Sequence, residues 1–301
     1  MRIGILGHIA IDAISSKNFE ILSLGGPPCY AGLAARRQGC DITLVTKVGT
    51  DFPDEYSIWL AKNNLNFSEG ARSGDRKTTR FRITLGVNKR NLQLISRCND
   101  ISDSQLDNLD VDGALLSPIA GEIPKSVSNK ILSLGILTFL DPQGYLRRFD
   151  KNGYCHLAPL QNSKLPKTTI IKVDPEEGSH LVGSPNLRKI ASRLRRRFDN
   201  VIVTNGPRNM IMASENSIKE AKVPTVEGVI DTTGLGDILS GSVLATFLRT
   251  GDFEWSVCVG IAVASQASKG KGIAKVGEVS GGESIAEKVK DGMRVLESVE
   301  R

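Results

Sequence analysis

The chain has 301 residues, 40% of them apolar and 24% charged, with a formal net charge of +6. That balance is the one found in folded globular proteins, and no apolar run approaches the roughly 20 residues of a membrane-spanning helix, so a disordered chain and a helical membrane protein are both disfavoured. Cys29, Cys40, Cys98, Cys155 and Cys258 are odd in number, scattered and without metal-ligand spacing, so neither a disulfide framework nor a zinc site is expected.

The N-terminus, MRIGILGHIAID, meets Asp12 too early for a signal peptide and reads as a first strand at 3–7, which favours the cytoplasm. Residues 13–24 look extended, and Gly25-Gly26 precede a helical pattern at 28–37. A strand at 42–48 leads through Val48-Gly49-Thr50-Asp51 into a helical pattern at 54–64. Polar and apolar residues alternate on both sides of Gly86-Val87-Asn88, so 78–97 reads as a hairpin standing off the core. Such an excursion is a candidate lid. An edge hairpin without function fits the same pattern.

Strands at 114–119, 136–140, 169–173 and 200–204 then alternate with helical patterns at 124–134 and 186–198, the latter with Ser184-Pro185 as its start signal. Three helices follow, at 237–249, 254–268 and 284–298. This alternation predicts a mostly parallel sheet covered by helices on both faces.

The densest basic run, Arg193 to Arg197, lies beside the apolar stripe of Leu187, Ile190, Ala191 and Leu194 and reads as a solvated helix face. Aromatics are only 5% of the chain and do not interleave with these cations, so nucleic-acid binding is not expected. An anionic small molecule suits the net charge as well. No P-loop, GxGxxG fingerprint or GxSxG elbow is present, and His8, His156 and His180 have no neighbours that suggest a triad or a metal site.

One stretch carries chemistry. In VIDTTGLGDILSG, 229–241, two glycines stand before a helix whose first N–H groups carry partial positive charge, which makes an anion site. Asp237 inside that loop is either a helix cap or a reacting carboxylate. Ligands of parallel sheets bind beyond the carboxyl ends of the strands, where Asp12, Asp51, Asp141, Asp174 and Asn205-Gly206 would gather.

With these residues in place, the sequence resembles the ribokinase (PfkB-type) family of small-molecule kinases. DTTGLGD at 231–237 is similar to the family's DTxGAGD signature, with Leu235 in place of alanine. Gly25-Gly26 after Asp12 resembles its substrate motif, Val48 to Asp51 its VGxD turn, and Thr204-Asn205-Gly206 its strand-end TxG element. The resemblance implies one domain over 1–301: an α/β three-layer sandwich with a mostly parallel central sheet and a small β-sheet lid formed by 13–24 and 76–97.

It further implies phosphoryl transfer from ATP to a hydroxyl, with Asp237 as general base and the N–H groups of Gly234, Leu235 and Gly236 as the anion hole. Asp174 and Glu177 stand at the family's NxxE motif, with Asp in place of Asn. They would support Mg2+, held through phosphates and water with Glu177 as candidate ligand, although DPEEG also reads as an acidic turn. Lys269-Gly270 fall where the family has its adenine-side loop. Asp231 lies in a region that in the family meets substrate or a monovalent cation.

Asp12 would bind substrate hydroxyls, and Gly25 and Gly26 would let backbone approach the substrate. Sugar kinases of the family carry Asn near Tyr30. Its absence, with LLSPIAGEIP at 115–124 and DPQGYLRR at 141–148, resembles a myo-inositol kinase subgroup and makes Tyr30, Gln143 and Arg147 candidate pocket residues. A nucleoside kinase using Phe81 or Tyr30 for stacking, a sugar-phosphate kinase using Arg80, Arg82, Lys89 and Arg90, and a catalytically weak nucleotide-binding regulator remain alternatives. A homodimer through the lid is a further expectation.

Overall fold

Strand residues alternate between two helical layers. Ile3 and Ile5 pack into one apolar cluster and Leu6 into the other. The same split separates Leu115 from Ala114 and Leu116, Phe139 from Leu140, and Ile202 from Val201 and Val203. The first cluster is closed by the helices Pro27–Arg37, Leu235–Thr250, Phe253–Ala267 and Gly282–Asp291. The second is closed by Lys125–Ser133, Pro175–Val182 and Leu187–Leu194. Period-2 alternation of apolar residues on both faces is what a buried parallel sheet requires, and each fully buried Leu, Ile or Val stabilises by about 1.5–3 kcal/mol.

The computed structural model describes residues 1–15, 20–85, 90–278 and 282–298, so the hairpin tip at Gly86-Val87-Asn88, and Lys89 with it, lies outside the described residues. Among those described, the large sheet has ten strands. Its spatial order is Arg294–Ser298, Ser217–Lys222, Asn209–Ala213, Asn200–Thr204, Ile170–Val173, Leu137–Leu140, Gly113–Leu116, Arg2–Leu6, Asp41–Val45 and Leu65–Phe67. From Asn200–Thr204 to Leu65–Phe67 all pairings are parallel. The remaining three strands add an antiparallel edge.

That edge departs from the sequence expectation. The pattern at 284–298 is not one helix: Gly282–Asp291 is helical, Gly292 follows it, and Arg294–Ser298 pairs with Ser217–Lys222. Arg195 and Arg188 reach Glu297 on this strand, and Arg197 donates to the Leu165 carbonyl. The basic run is thus tied to its own fold. Asn186 rather than Ser184 caps the helix Leu187–Leu194, accepting from Lys189 N–H.

A second sheet of four strands runs Glu20–Gly25, Ala10–Ser15, Thr79–Leu85, Arg90–Ser96. Asp12 therefore belongs to the small sheet, pairing with Ser23 and Phe81, and not to the end of the first strand, which stops at Leu6. Asp51 secures the sheet's return: its carboxylate accepts from Thr78 N–H at 2.7 Å and pairs with Arg80 at 3.0 Å. Gly49 is needed at this crossing, because a Cβ there would lie 2.3 Å from the Arg76 carbonyl oxygen. His8 is a buried strut between core and lid, its ring nitrogens bonded to Thr79 and Asn99.

Candidate active site

Gly234 adopts φ +73 directly before the helix Leu235–Thr250. A Cβ on it would fall 2.6 Å from the ring of Tyr30, so both backbone geometry and packing demand glycine. The turn leaves Asp237 in the first turn of the helix and lining a cavity of about 300 Å³. Leu235 N–H closes the loop with a long 3.4 Å bond to the Thr232 carbonyl. Gly241, one turn further on, packs against the Ala31 backbone, where a Cβ would come within 2.2 Å of the carbonyl oxygen.

The small sheet supplies one wall of the cavity through Ala10, Asp12, Phe81, Ile83 and Leu92. Gly26, Pro27 and Tyr30 line it from the helix Pro27–Arg37, and Gln143 and Arg147 from the segment after Leu137–Leu140. Gly25 does not line it. Its missing side chain makes room for Asp12, whose Oδ2 would sit 2.1 Å from a Cβ there. Gly144 seats the Gln143 segment on Pro118, accepting no side chain because a Cβ would meet the Pro118 carbonyl at 2.4 Å. Arg147 is held by Gln143 Oε1 and by the Ile119 carbonyl. Tyr30 is 1% exposed and its hydroxyl has no hydrogen-bond partner among the described residues. Burial and the neighbouring Asp12 hold that hydroxyl protonated.

Asp174 and Glu177 also line the cavity while building a capping box. Asp174 accepts from Glu177 N–H at 2.7 Å and Glu177 from Asp174 N–H at 2.9 Å. The acidic turn and the site pair are the same structure. Burial, then the charges of Asp174 and Asp141, push the Glu177 carboxyl up to about 8. Two residues before this cap stands Lys172, which the sequence pattern hid inside the apolar strand Ile170–Val173. Its ammonium pairs with buried Asp141 and lies 3.0 Å from where a Gly236 Cβ would be. Burial alone would lower its pKa, but Asp141, Asp237 and Glu177 outweigh that and hold it charged.

A second cavity, about 580 Å³, adjoins the first. Its walls are largely apolar, with Met210, Val223, Val226, Val229, Leu239 and Ile261, and Gly206 and Leu235 also line it. Thr204, Thr232 and Gly236 border both cavities. The arrangement can hold a flat apolar group on one side, a hydroxyl-bearing molecule on the other, and an anion at the seam.

Besides Gly25, four sequence-chosen residues line neither cavity. Asn205 bonds to Asn209, and Lys269 and Gly270 cap the end of Phe253–Ala267, where only the preceding Ser268 reaches the second cavity. Asp231 also lies away from both, behind the loop. Its carboxylate accepts from Thr233 N–H at 2.8 Å and Gly272 N–H at 2.9 Å and pairs with Lys275 at 3.2 Å. Burial would raise this carboxyl, but those bonds and the Lys275 charge hold it below the usual range. Of the hairpin cations, Arg80 is bound to Asp51 and Arg82 is exposed beside Gln93. The side chain of Arg90 lies outside the described residues.

The model of pfkB family carbohydrate kinases matches residues 21–276. A cytidine kinase of Thermococcus kodakarensis is 22% identical over 277 residues, covering 88% of this chain and 95% of its own. A pyrophosphate-dependent kinase of the ribokinase family, solved with a pyrophosphate analogue and myo-inositol, superposes with TM-score 0.78 at 20% identity over 92% of this chain and 100% of that one. Arabidopsis thaliana ribokinase, solved with ribose and ATP, gives TM-score 0.75 at 17% identity over 96% and 98%. The fold is ribokinase-like.

Proposed function

This chain belongs to the pfkB family of carbohydrate kinases, and from that premise we propose that it transfers the γ-phosphoryl group of ATP to a hydroxyl of an unphosphorylated polyol or sugar, myo-inositol first among them. One observation carries the proposal: two cavities of opposite character meet at Thr204, Thr232 and Gly236, with Asp237 on the polar side.

Asp237 takes the proton of the attacking hydroxyl as general base. Loop N–H groups of Gly234 and Gly236, at the positive end of Leu235–Thr250, with the Lys172 ammonium beside them, offset charge on the transferring group. Phosphoryl transfer needs positioning and charge stabilisation more than covalent help, so this set is sufficient. Magnesium, when bound, neutralises donor phosphate charge. Asp174 and Glu177 fit such an ion only indirectly, since no group of three or more ligating side chains occurs among the described residues, and phosphates and water would complete its shell.

Asp12 accepts from acceptor hydroxyls, and Gln143, Arg147 and Tyr30 complete the polar lining. Because Arg80 is bound to Asp51 and Arg82 does not line the acceptor cavity, the lid places no cation there among the described residues for a sugar phosphate. The apolar second cavity favours a nucleotide base over pyrophosphate alone as the donor's distal part. The apolar lid wall of Phe81, Ile83 and Leu92 supports a second acceptor class, a nucleoside.

The test is a turnover panel with magnesium: ATP or pyrophosphate as donor, and myo-inositol, ribose, cytidine, adenosine and fructose 6-phosphate as acceptors. ATP-driven phosphorylation of myo-inositol or ribose is the expected result. Preference for cytidine or adenosine moves the acceptor to nucleosides. Efficient use of pyrophosphate overturns the donor assignment.

A further inference from the structure

Lys275 is 1% exposed, and its ammonium reaches three oxygens just upstream of the anion loop. Nζ donates to the Asp231 carbonyl at 3.0 Å and the Thr233 carbonyl at 2.6 Å, and pairs with Asp231 Oδ2 at 3.2 Å. It also lies 5.7 Å over the Tyr30 ring, the ring against which Gly234 is packed. An ion-sized positive charge surrounded by carbonyl oxygens and one carboxylate is the chemistry of a bound alkali cation.

We propose that the Lys275 ammonium is a tethered cation that takes the place of a bound monovalent ion beneath the anion loop, and that this chain's phosphoryl transfer is independent of potassium and sodium. The assignment rests on the kinase function proposed above. The family resemblance implies a monovalent cation in the Asp231 region, and here the oxygens that would hold it already hold Nζ. The two do not fit together.

The ammonium is a positioning group. In a trans peptide the C=O and the following N–H point in opposite directions. Holding the Asp231 and Thr233 carbonyls toward Lys275 therefore turns the N–H groups of Thr232 and Gly234 away from it. Thr232 borders both cavities and Gly234 lines the acceptor side. A mobile ion would do this only when bound. A lysine on the turn Ile273–Glu278 does it permanently.

Lys275→Ala leaves the three oxygens and opens space for an ion. The wild type and this variant are melted in potassium, ammonium or choline chloride at equal ionic strength. The variant is expected to gain several degrees in Tm from potassium or ammonium over choline, while the wild type shows no difference. In turnover, wild-type kcat should change less than twofold between potassium and choline. The variant should lose tenfold or more in choline and recover most of it in potassium or ammonium. If the variant does not fold in choline, recovery of the fold in potassium or ammonium carries the same meaning. Wild-type turnover that requires potassium overturns the proposal. So does a variant unmoved by any cation, or one with unchanged kcat in choline. Failure of the kinase function itself shows separately, as a wild type without turnover or ATP binding, because the melting comparison needs neither.

Discussion

The two cavities share three residues and almost nothing else. The acceptor side is lined by Asp12, Asp141, Asp174, Glu177 and Asp237, with Lys172 and Arg147 set among them. The donor side is walled by Val223, Val226, Val229, Leu239 and Ile261. If the apolar cavity holds the donor, as proposed, binding there comes from area and shape, so single changes shift affinity gradually. On the acceptor side Asp141 is held by Lys172, and Asp174 and Glu177 by each other, so that losing Lys172 strands a buried charge. In the proposed function, chemistry is concentrated where the charges are, and donor recognition is spread over a surface.

Asp237→Asn should give the largest effect. It removes the base but keeps shape, so kcat is expected to fall about 100- to 10,000-fold with ATP affinity retained. Turnover and a binding titration check it, and a small loss would end the assignment of Asp237 as base. Lys172→Met comes next. It leaves Asp141, 1% exposed, without its cation, and urea unfolding should show a loss of about 3–5 kcal/mol. A cost no larger than that of a surface pair would mean Asp141 adapts without its partner.

The third effect is one of pH. Folding raises the Glu177 carboxyl from 4.5 to about 8, so the folded state keeps a proton that the unfolded state releases. Stability from this group is fully present below the ordinary carboxylate range and declines as pH rises to about 8, with a slope of at most about 1.4 kcal/mol per pH unit. Glu177→Gln, which keeps an oxygen for Asp174 N–H, should flatten this slope in urea melts across that range. Smallest is Ala264→Phe, which fills the apolar cavity. The KM for ATP should rise about tenfold, or about 1.4 kcal/mol, with acceptor KM unchanged. A change in acceptor KM instead would break the separation of the two sides.

The sequence made the parallel core and the Gly234–Asp237 loop legible because both are local. The core strands are short apolar runs, and the loop's glycines and aspartate are contiguous. Ser217–Lys222 and Arg294–Ser298 were hidden because these outer strands carry Lys, Glu and Arg that read as surface or helix. Lys172 interrupts an apolar strand, and Lys275 sits in the charged stretch KGKGIAKVGE, and nothing local marks either as buried. Their burial is set by Asp141 and Asp231, which are 31 and 44 positions away. No window along the chain contains both members of either pair. The expectation for Asp12 agrees with its place on the cavity wall but not with its strand, because the break after Leu6 has no turn signal beyond Gly7.

The contact at Gly241 has a bearing on how such a site can diversify. Backbone against backbone, it clamps the helix that carries Asp237 to the helix that carries Tyr30. Asp237 and the floor beneath the loop are therefore one rigid block. Asp12, Phe81, Gln143 and Arg147 approach from a separate sheet and a separate segment. Residues proposed to choose the acceptor can thus be exchanged piecemeal, as interchangeable jaws around a fixed anvil, without moving the proposed base.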